Sequence, residues 1–447
     1  MEQRGSFGSR FGTIAAVGGS VIGLGNIWRF PYVAGENGGA AFILIYLAIS
    51  LLISIPIMLS EFAIGRSTHR NPMRAFSRLA PGTPWKGVGY MGILCAFVIL
   101  SFYCVIAGWA LEFLGDSVMN RFEGRTPGEI AADFDTFVAS GWRPILWTLV
   151  FIGATAFIIL SGIEKGIERY NKILMPVLFL LLAGMAVNAV TLDGAREGIA
   201  FLLRPDFSKI TGSTILEALG QSFFSMSLGM GCMITYGSYL RKNENVFRIG
   251  GMVALSDITV AILSGLAIFP AVFSFGISPT SGPELVFLTL PNVFARMTGG
   301  YLLSIVFFFL LFLAAITSSV SLMEVIVSYF SEEFPFGRKR ATIYTGAMVA
   351  VTGSLCALSM IPGSRLTVGG MNLFDLCDML SSNVMMPLGG LLIVLFTGWV
   401  FSPAKLRREL TGGMRYGVRV YPFVRLLIRF LIPVVILILF LDKTGVL

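Results

Sequence analysis

A chain of 447 residues that is 55% hydrophobic and only 13% charged has too few polar side chains to cover soluble domains of ordinary size. Its mean hydropathy of +0.81 makes lipid the main solvent. The net charge of +8 would suit either nucleic acid or a membrane protein with basic inner loops, and the placement of the charges separates the two.

Apolar runs of bilayer length, about 17–25 residues, recur along the whole chain. They lie at 13–35, 40–64, 88–116, 144–161, 168–190, 214–240, 250–276, 300–330, 341–360, 372–400 and 421–441. The expected fold is therefore an all-α polytopic membrane protein of eleven transmembrane helices. A shorter apolar segment, 282–294, cannot span and is expected to form a helical hairpin in an outer loop. The tail MEQRGSFGSR is basic and no small-residue cleavage site follows it, so no removable signal is expected. With that tail in the cytoplasm, 23 of the 33 Lys and Arg fall on inner loops, 9 on outer loops, and Arg29 inside a span. This asymmetry predicts a multi-pass protein of the cell membrane with its N-terminus inside and, after eleven spans, its C-terminus outside. The basic residues are scattered over six loops, which argues against a nucleic-acid surface.

The five cysteines (Cys95, Cys104, Cys232, Cys356, Cys377) lie within or at the ends of spans and form no CxxC pair, so they read as small hydrophobes. His69 is the only histidine and sits in a basic loop, which excludes a histidine proton relay or a His-ligated zinc. With no HExxH and no nucleophile–base pair, a membrane enzyme is not expected.

Two spans are interrupted. In the first, Gly18, Gly19, Gly23 and Gly25 crowd the centre and are followed by Asn26, Arg29 and Pro31; in the sixth, Gly229 and Gly231 stand beside Gln221, Ser222, Ser225 and Ser227. Each glycine weakens a helix by about 1 kcal/mol relative to alanine. Unwound backbone at membrane depth is tolerated only where it is buried in protein or lines a cavity. Glycines can also serve close helix packing, but two polar breaks five spans apart fit an inverted repeat. The repeats would be 11–190 (spans 1–5) and 214–400 (spans 6–10), with 421–441 as an extra span. Broken helices at matching positions of two halves mark a transporter's binding site. Freed N–H groups favour a carboxylate and freed carbonyls favour cations, so an amino-acid zwitterion beside sodium suits both ends.

The stretches GGSVIGLGNIWRFPYVAGENGGAAF, SFYCVIAGW, LGQSFFSMSLGMGCMITYGSY and AAITSSVSLMEV closely resemble the neurotransmitter:sodium symporter family, in particular its bacterial amino-acid transporters. The resemblance runs through spans 1 to 10 in order. It implies a leucine-transporter-type fold of two inverted repeats, a mid-membrane substrate and alternating access. A first sodium would be held by Val21, Asn26, Ser225 and a residue of span 7, and a second by Gly19, Ile22, Ala314, Thr317 and Ser318. The substrate carboxylate would meet Leu24, Gly25 and Tyr103, and its amine the carbonyls of Val21, Phe224, Ser225 and Ser227. Ile99, Phe224, Met230, Ser318 and Leu322 would line the side-chain pocket. Amine-carrying relatives have an aspartate at the position of Gly23, so its absence implies a substrate with its own carboxylate. The LGMG motif resembles the subgroup that accepts bulky hydrophobic or aromatic amino acids.

Asp257 stands where animal relatives have asparagine and bind chloride, near positions matching Tyr46, Gln221, Ser225 and Ala261. A fixed carboxylate there implies chloride-independent transport, with Asp257 also touching the first sodium; Ser256 is the alternative alignment. Arg29 with Asp378 matches an outer gate above Tyr103 and Phe224, and Arg4 with Glu332, beside Phe7 and Tyr239, matches an inner closure. Gly166 and Pro176 match an element at which relatives unwind the inner end of span 5. Members commonly have twelve spans where this sequence has eleven. Glu61 reads as structural, and Glu324 has no assignment. Expected partners are thus a hydrophobic or aromatic amino acid, one or two Na+ ions and the bilayer, without chloride. A proton-coupled carrier on the same fold would need a titratable group at the second cation site, where Thr317 and Ser318 offer hydroxyls only. A non-transporting amino-acid sensor is the remaining alternative.

Overall fold

The computed structural model describes residues 5–276 and 286–443. Among them, nine continuous helices are long and apolar enough to cross a membrane: Ala40–Thr68, Lys86–Val118, Trp142–Leu160, Ile163–Val190, Val246–Ser274, Gly300–Glu333, Arg338–Ser359, Leu373–Val400 and Tyr421–Ile438. A tenth crossing is the pair Arg10–Val21 and Gly25–Glu36, bent by 49° at the break between them. The sixth expected span is two short helices, Gly212–Ser225 and Cys232–Gly237, neither long enough to cross alone. Both interruptions fall on the glycine clusters.

The two breaks differ in backbone. At the first, Ile22 turns extended (φ −88°, ψ 100°) and a wide turn over Gly25–Arg29 restarts the helix. At the sixth, Ser227, Gly229 and Gly231 take positive φ of 53°, 78° and 79°. That left-handed region is open to glycine and strained for most other residues, so the chain leaves the helix there by sequence.

Spans 3 and 8 form the centre, with 78% and 72% of their most apolar windows buried, against 33% for spans 5 and 11. They pack on one another, and span 8 also packs on span 1. The outer ring turns large apolar side chains outward (Leu180, Val187, Phe157), as a lipid-facing surface requires.

Short helices cap the loops: Pro127–Ala139, Ala195–Leu203 and Thr289–Arg296 on one side, Pro72–Leu79 and Pro403–Thr411 on the side that carries the N-terminal tail. In the expected loop hairpin at 282–294 only the helix Thr289–Arg296 is described, because 277–285 lie outside the described residues. The all-α expectation has one small exception, a two-stranded hairpin pairing Thr367–Val368 with Met371–Asn372. Span 5 is wound throughout: Gly166 sits in a wide turn over Ile163–Glu168, and Pro176 lies within the continuous helix that follows.

Candidate substrate and cation site

The breaks of spans 1 and 6 meet spans 3 and 8 at mid-bundle around a narrow cavity. Its walls are Val21, Gly23, Gly25, Ile99, Tyr103, Phe224, Ser225, Ser227, Met230, Ser318 and Leu322. These are the expected pocket residues with one exchange. Leu24 contributes its backbone N–H, which donates to the Tyr103 hydroxyl at 3.2 Å, and Gly23 lines the wall. A side chain at this position would have to displace its neighbours: a Cβ on Gly23 would stand 2.9 Å from Ser318 Cβ and 3.0 Å from Tyr103 Oη. One end of the cavity is polar backbone and hydroxyl, and the other is Ile99, Met230 and Leu322. Such a pocket matches a small ligand with a charged head and an apolar tail.

Beside the polar end lies a cluster of buried oxygens. Asn26 Nδ2 donates to Asp257 Oδ1 at 2.8 Å, to the Asp257 carbonyl at 3.2 Å and to Ser225 Oγ at 3.0 Å. The Ser225 hydroxyl also donates to Asp257 Oδ1, and Tyr46 donates to Oδ2 at 2.5 Å. Asp257 is fully buried, while Ser256 is half-buried and bonds to none of these groups. Geometry therefore selects Asp257 over the alternative alignment. A buried carboxylate is costly and marks a working site. Gln221 donates Nε2 to the Gly25 carbonyl at 2.7 Å, which pins the far side of the first break. Hydroxyls, carbonyls and a carboxylate form a donor set for a hard cation.

A second cluster sits on the opposite flank of span 1. The Thr317 hydroxyl lies 3.1 Å from the Ile22 carbonyl and 3.0 Å from that of Ala314, and the Ser318 hydroxyl 3.5 Å from the carbonyl of Gly19. Thr317 also bonds back to its own helix at Leu313, so local capping and cross-helix contact coexist. Among the described residues no carboxylate joins this group. Asn171 of span 5 was not foreseen from sequence. Its Nδ2 donates to the Ile167 carbonyl, whereas its buried Oδ1 has no hydrogen-bond partner and abuts the open face of Gly19, where Thr317 also packs. A buried amide oxygen left unpaired calls for a missing partner.

On the loop side opposite the tail, Arg29 is buried over the Phe224 ring, 4.8 Å from its centre, with its Nε and Nη1 unpaired. Asp378 lies near enough to act on the Arg29 charge but accepts from Ser382 Oγ at 2.9 Å. No direct ion pair joins Arg29 and Asp378 within 4 Å: Asp378 is taken by Ser382, and Arg29 lies on Phe224 with Tyr32 as its hydrogen-bond partner. On the tail side, Arg4 lies outside the described residues, and Glu332 accepts from the backbone and side-chain nitrogens of Asn71, each at 3.1 Å. Phe7 stands edge-on to both Tyr236 and Tyr239, at 5.9 Å each.

Two acids gain roles that sequence alone did not give. Glu61 of span 2 accepts the Gly229 N–H at 2.8 Å and thereby satisfies the unwound backbone of span 6. Glu324 accepts from Tyr239 at 2.6 Å and forms a two-pronged pair with Arg338 at 2.9 and 2.6 Å. Glu324 thus ties span 8 to the tail-side end of span 6 and to the start of span 9.

A mid-bundle pocket between two broken helices, flanked by two oxygen-rich clusters, defines a secondary transporter. The chain belongs to the sodium:neurotransmitter symporter family, whose model matches residues 4–127 and 135–445. It is 39% identical to the uncharacterized sodium-dependent transporter YhdH of Bacillus subtilis over 98% of this chain and 97% of that one. It is 37% identical to an uncharacterized sodium-dependent transporter of Haemophilus influenzae over 99% and 98%. Among solved structures it resembles MhsT in complex with L-phenylalanine, at a TM-score of 0.92 and 44% identity, covering 98% of this chain and 100% of that one. The chain is accordingly a sodium-dependent, multi-pass membrane transporter and not an enzyme.

Proposed function

We propose that this transporter imports a hydrophobic or aromatic L-amino acid together with sodium, by alternating access and without chloride. The observation that carries the proposal is the shared wall between pocket and cation cluster: Ser225 lines the cavity and also bonds to Asp257 and Asn26. A cation there and a substrate carboxylate in the pocket would attract one another across a few ångströms of low-dielectric interior, which couples the two binding events. The likeness to MhsT, whose structure holds L-phenylalanine, supports the substrate class.

In this reading the first sodium takes Val21, Asn26, Ser225 and Asp257, and the second Gly19, Ile22, Ala314, Thr317 and Ser318, with Asn171 Oδ1 as a further oxygen on its path. The Asp257 carboxylate supplies the fixed negative charge that chloride provides in animal relatives. Arg29 and Asp378 gate the outer side, and Arg4 and Glu332 the inner side, where the N-terminal tail resides. The test is uptake of labelled tryptophan and leucine into proteoliposomes with sodium exchanged for potassium. Equal uptake in the two salts overturns sodium coupling, and uptake that requires chloride overturns the role given to Asp257.

A further inference from the structure

On the tail side of the bundle, the loops after spans 2, 6 and 10 enclose a cleft of about 600 Å³ that takes no part in the pocket or the cation clusters. Its walls include Arg66, Arg78, Lys242, Lys405, Arg408 and Arg415, against a single carboxylate, Glu409. That carboxylate is already taken: Arg66, 1% exposed, pairs with it at 2.8 Å and fixes the loop by a second bond to the Glu244 carbonyl at 2.9 Å. Arg78 lends one nitrogen to the Thr68 carbonyl. Lys242, Lys405, Arg408 and Arg415 are exposed, and no carboxylate among the described residues lies within pairing distance of them. Like charges gathered without a counter-charge repel, and a bound anion relieves that repulsion.

The cleft opens into a second cavity of about 430 Å³ that shares Asn243 and Arg415 with it. Ile14 and Ile249 line this extension together with Arg10, Arg248, Asn245 and Tyr416, and its one carboxylate, Glu244, is already taken by the Thr13 hydroxyl and the Arg241 N–H. A soluble phosphate has no use for an apolar extension, whereas a lipid has both a charged head and a chain. We propose that this cleft binds an anionic phospholipid, its headgroup phosphate among Lys242, Lys405, Arg408 and Arg415 and its acyl chain toward Ile14 and Ile249. Basic pockets between helices at the inner face are suited to such headgroups. Because Arg10 and Ile14 belong to the first half of the bent span, a bound lipid bridges that half-helix to the loops after spans 6 and 10.

The test is the thermal stability of the detergent-purified full chain on adding phosphatidylglycerol, phosphatidylcholine or inorganic pyrophosphate. Phosphatidylglycerol alone is expected to raise the melting temperature. In the triple variant Lys405→Gln/Arg408→Gln/Arg415→Gln its binding should weaken by about tenfold or more, and in the single variants Arg408→Gln and Lys242→Gln by about fivefold each. A charge-matched control on the same face, Lys165→Gln/Lys339→Gln/Arg340→Gln, should respond as the native chain does. Equal loss in the control means a diffuse basic surface and overturns the site. An equal response to pyrophosphate means a soluble anion and overturns the lipid, and an unchanged triple variant overturns both.

Discussion

The two oxygen clusters flanking span 1 are built on different principles. Around Asp257 a carboxyl group is buried and met by three donors, Asn26, Ser225 and Tyr46. Around Thr317 there are only neutral hydroxyls and carbonyls, with an unpaired amide oxygen nearby. A site with its own carboxylate holds a cation by net charge; a neutral site holds it by dipoles alone and releases it more readily. In the proposed reading, with a cation at each cluster, this difference suits the first to lock ion and substrate together and the second to release its ion more readily.

Substitutions can break or sharpen that contrast. Asp257→Asn should have the largest effect: sodium-driven uptake in chloride-free buffer falls by about 100-fold, the upper end of what a lost contact between a carboxylate and a cation costs, about 3 kcal/mol. Adding chloride should restore part of that loss, read as uptake in gluconate against chloride. Thr317→Ala should raise the sodium concentration for half-maximal uptake by about tenfold, the scale of a lost contact to a charge. It should do so equally with and without chloride. Tyr46→Phe removes one donor to Asp257 and leaves its charge, so a shift of about fivefold is expected in the same titration. Asn171→Ala should be the mildest, about threefold, with Asn171→Asp shifting the titration the opposite way. If Thr317→Ala shifts the titration and both Asn171 variants do not, the second cluster stands and the amide is structural.

Much of this was legible in the sequence because the relevant signals are local. Glycine clusters with polar neighbours mark both breaks, and an isolated acid in an apolar span marks Asp257. The cavity walls are the residues the family motifs named, with Gly23 in the place of Leu24. The remainder depends on contacts between distant segments. Glu61 reads as an ordinary helix-end acid until span 2 is seen against the Gly229 N–H, 168 residues away. Glu324 finds Arg338 nearby in sequence, but its tie to Tyr239 crosses from one span to another. Asn171 carries no motif at all; only an unsatisfied oxygen reveals it. The Arg29–Asp378 pair shows the converse limit. Sequence names both partners, yet whether they touch depends on the conformation adopted, and here Arg29 lies on Phe224 instead.

The left-handed residues of span 6 carry a consequence for affinity. Ser227, Gly229 and Gly231 hold the break through their own backbone angles, and Glu61 satisfies an exposed N–H within it. The carbonyls and amides that meet a ligand are therefore displayed before it arrives. A substrate bound as proposed would spend none of its binding energy on opening helical hydrogen bonds, and what would have been a folding cost would become selectivity for the side chain that fits beside Met230.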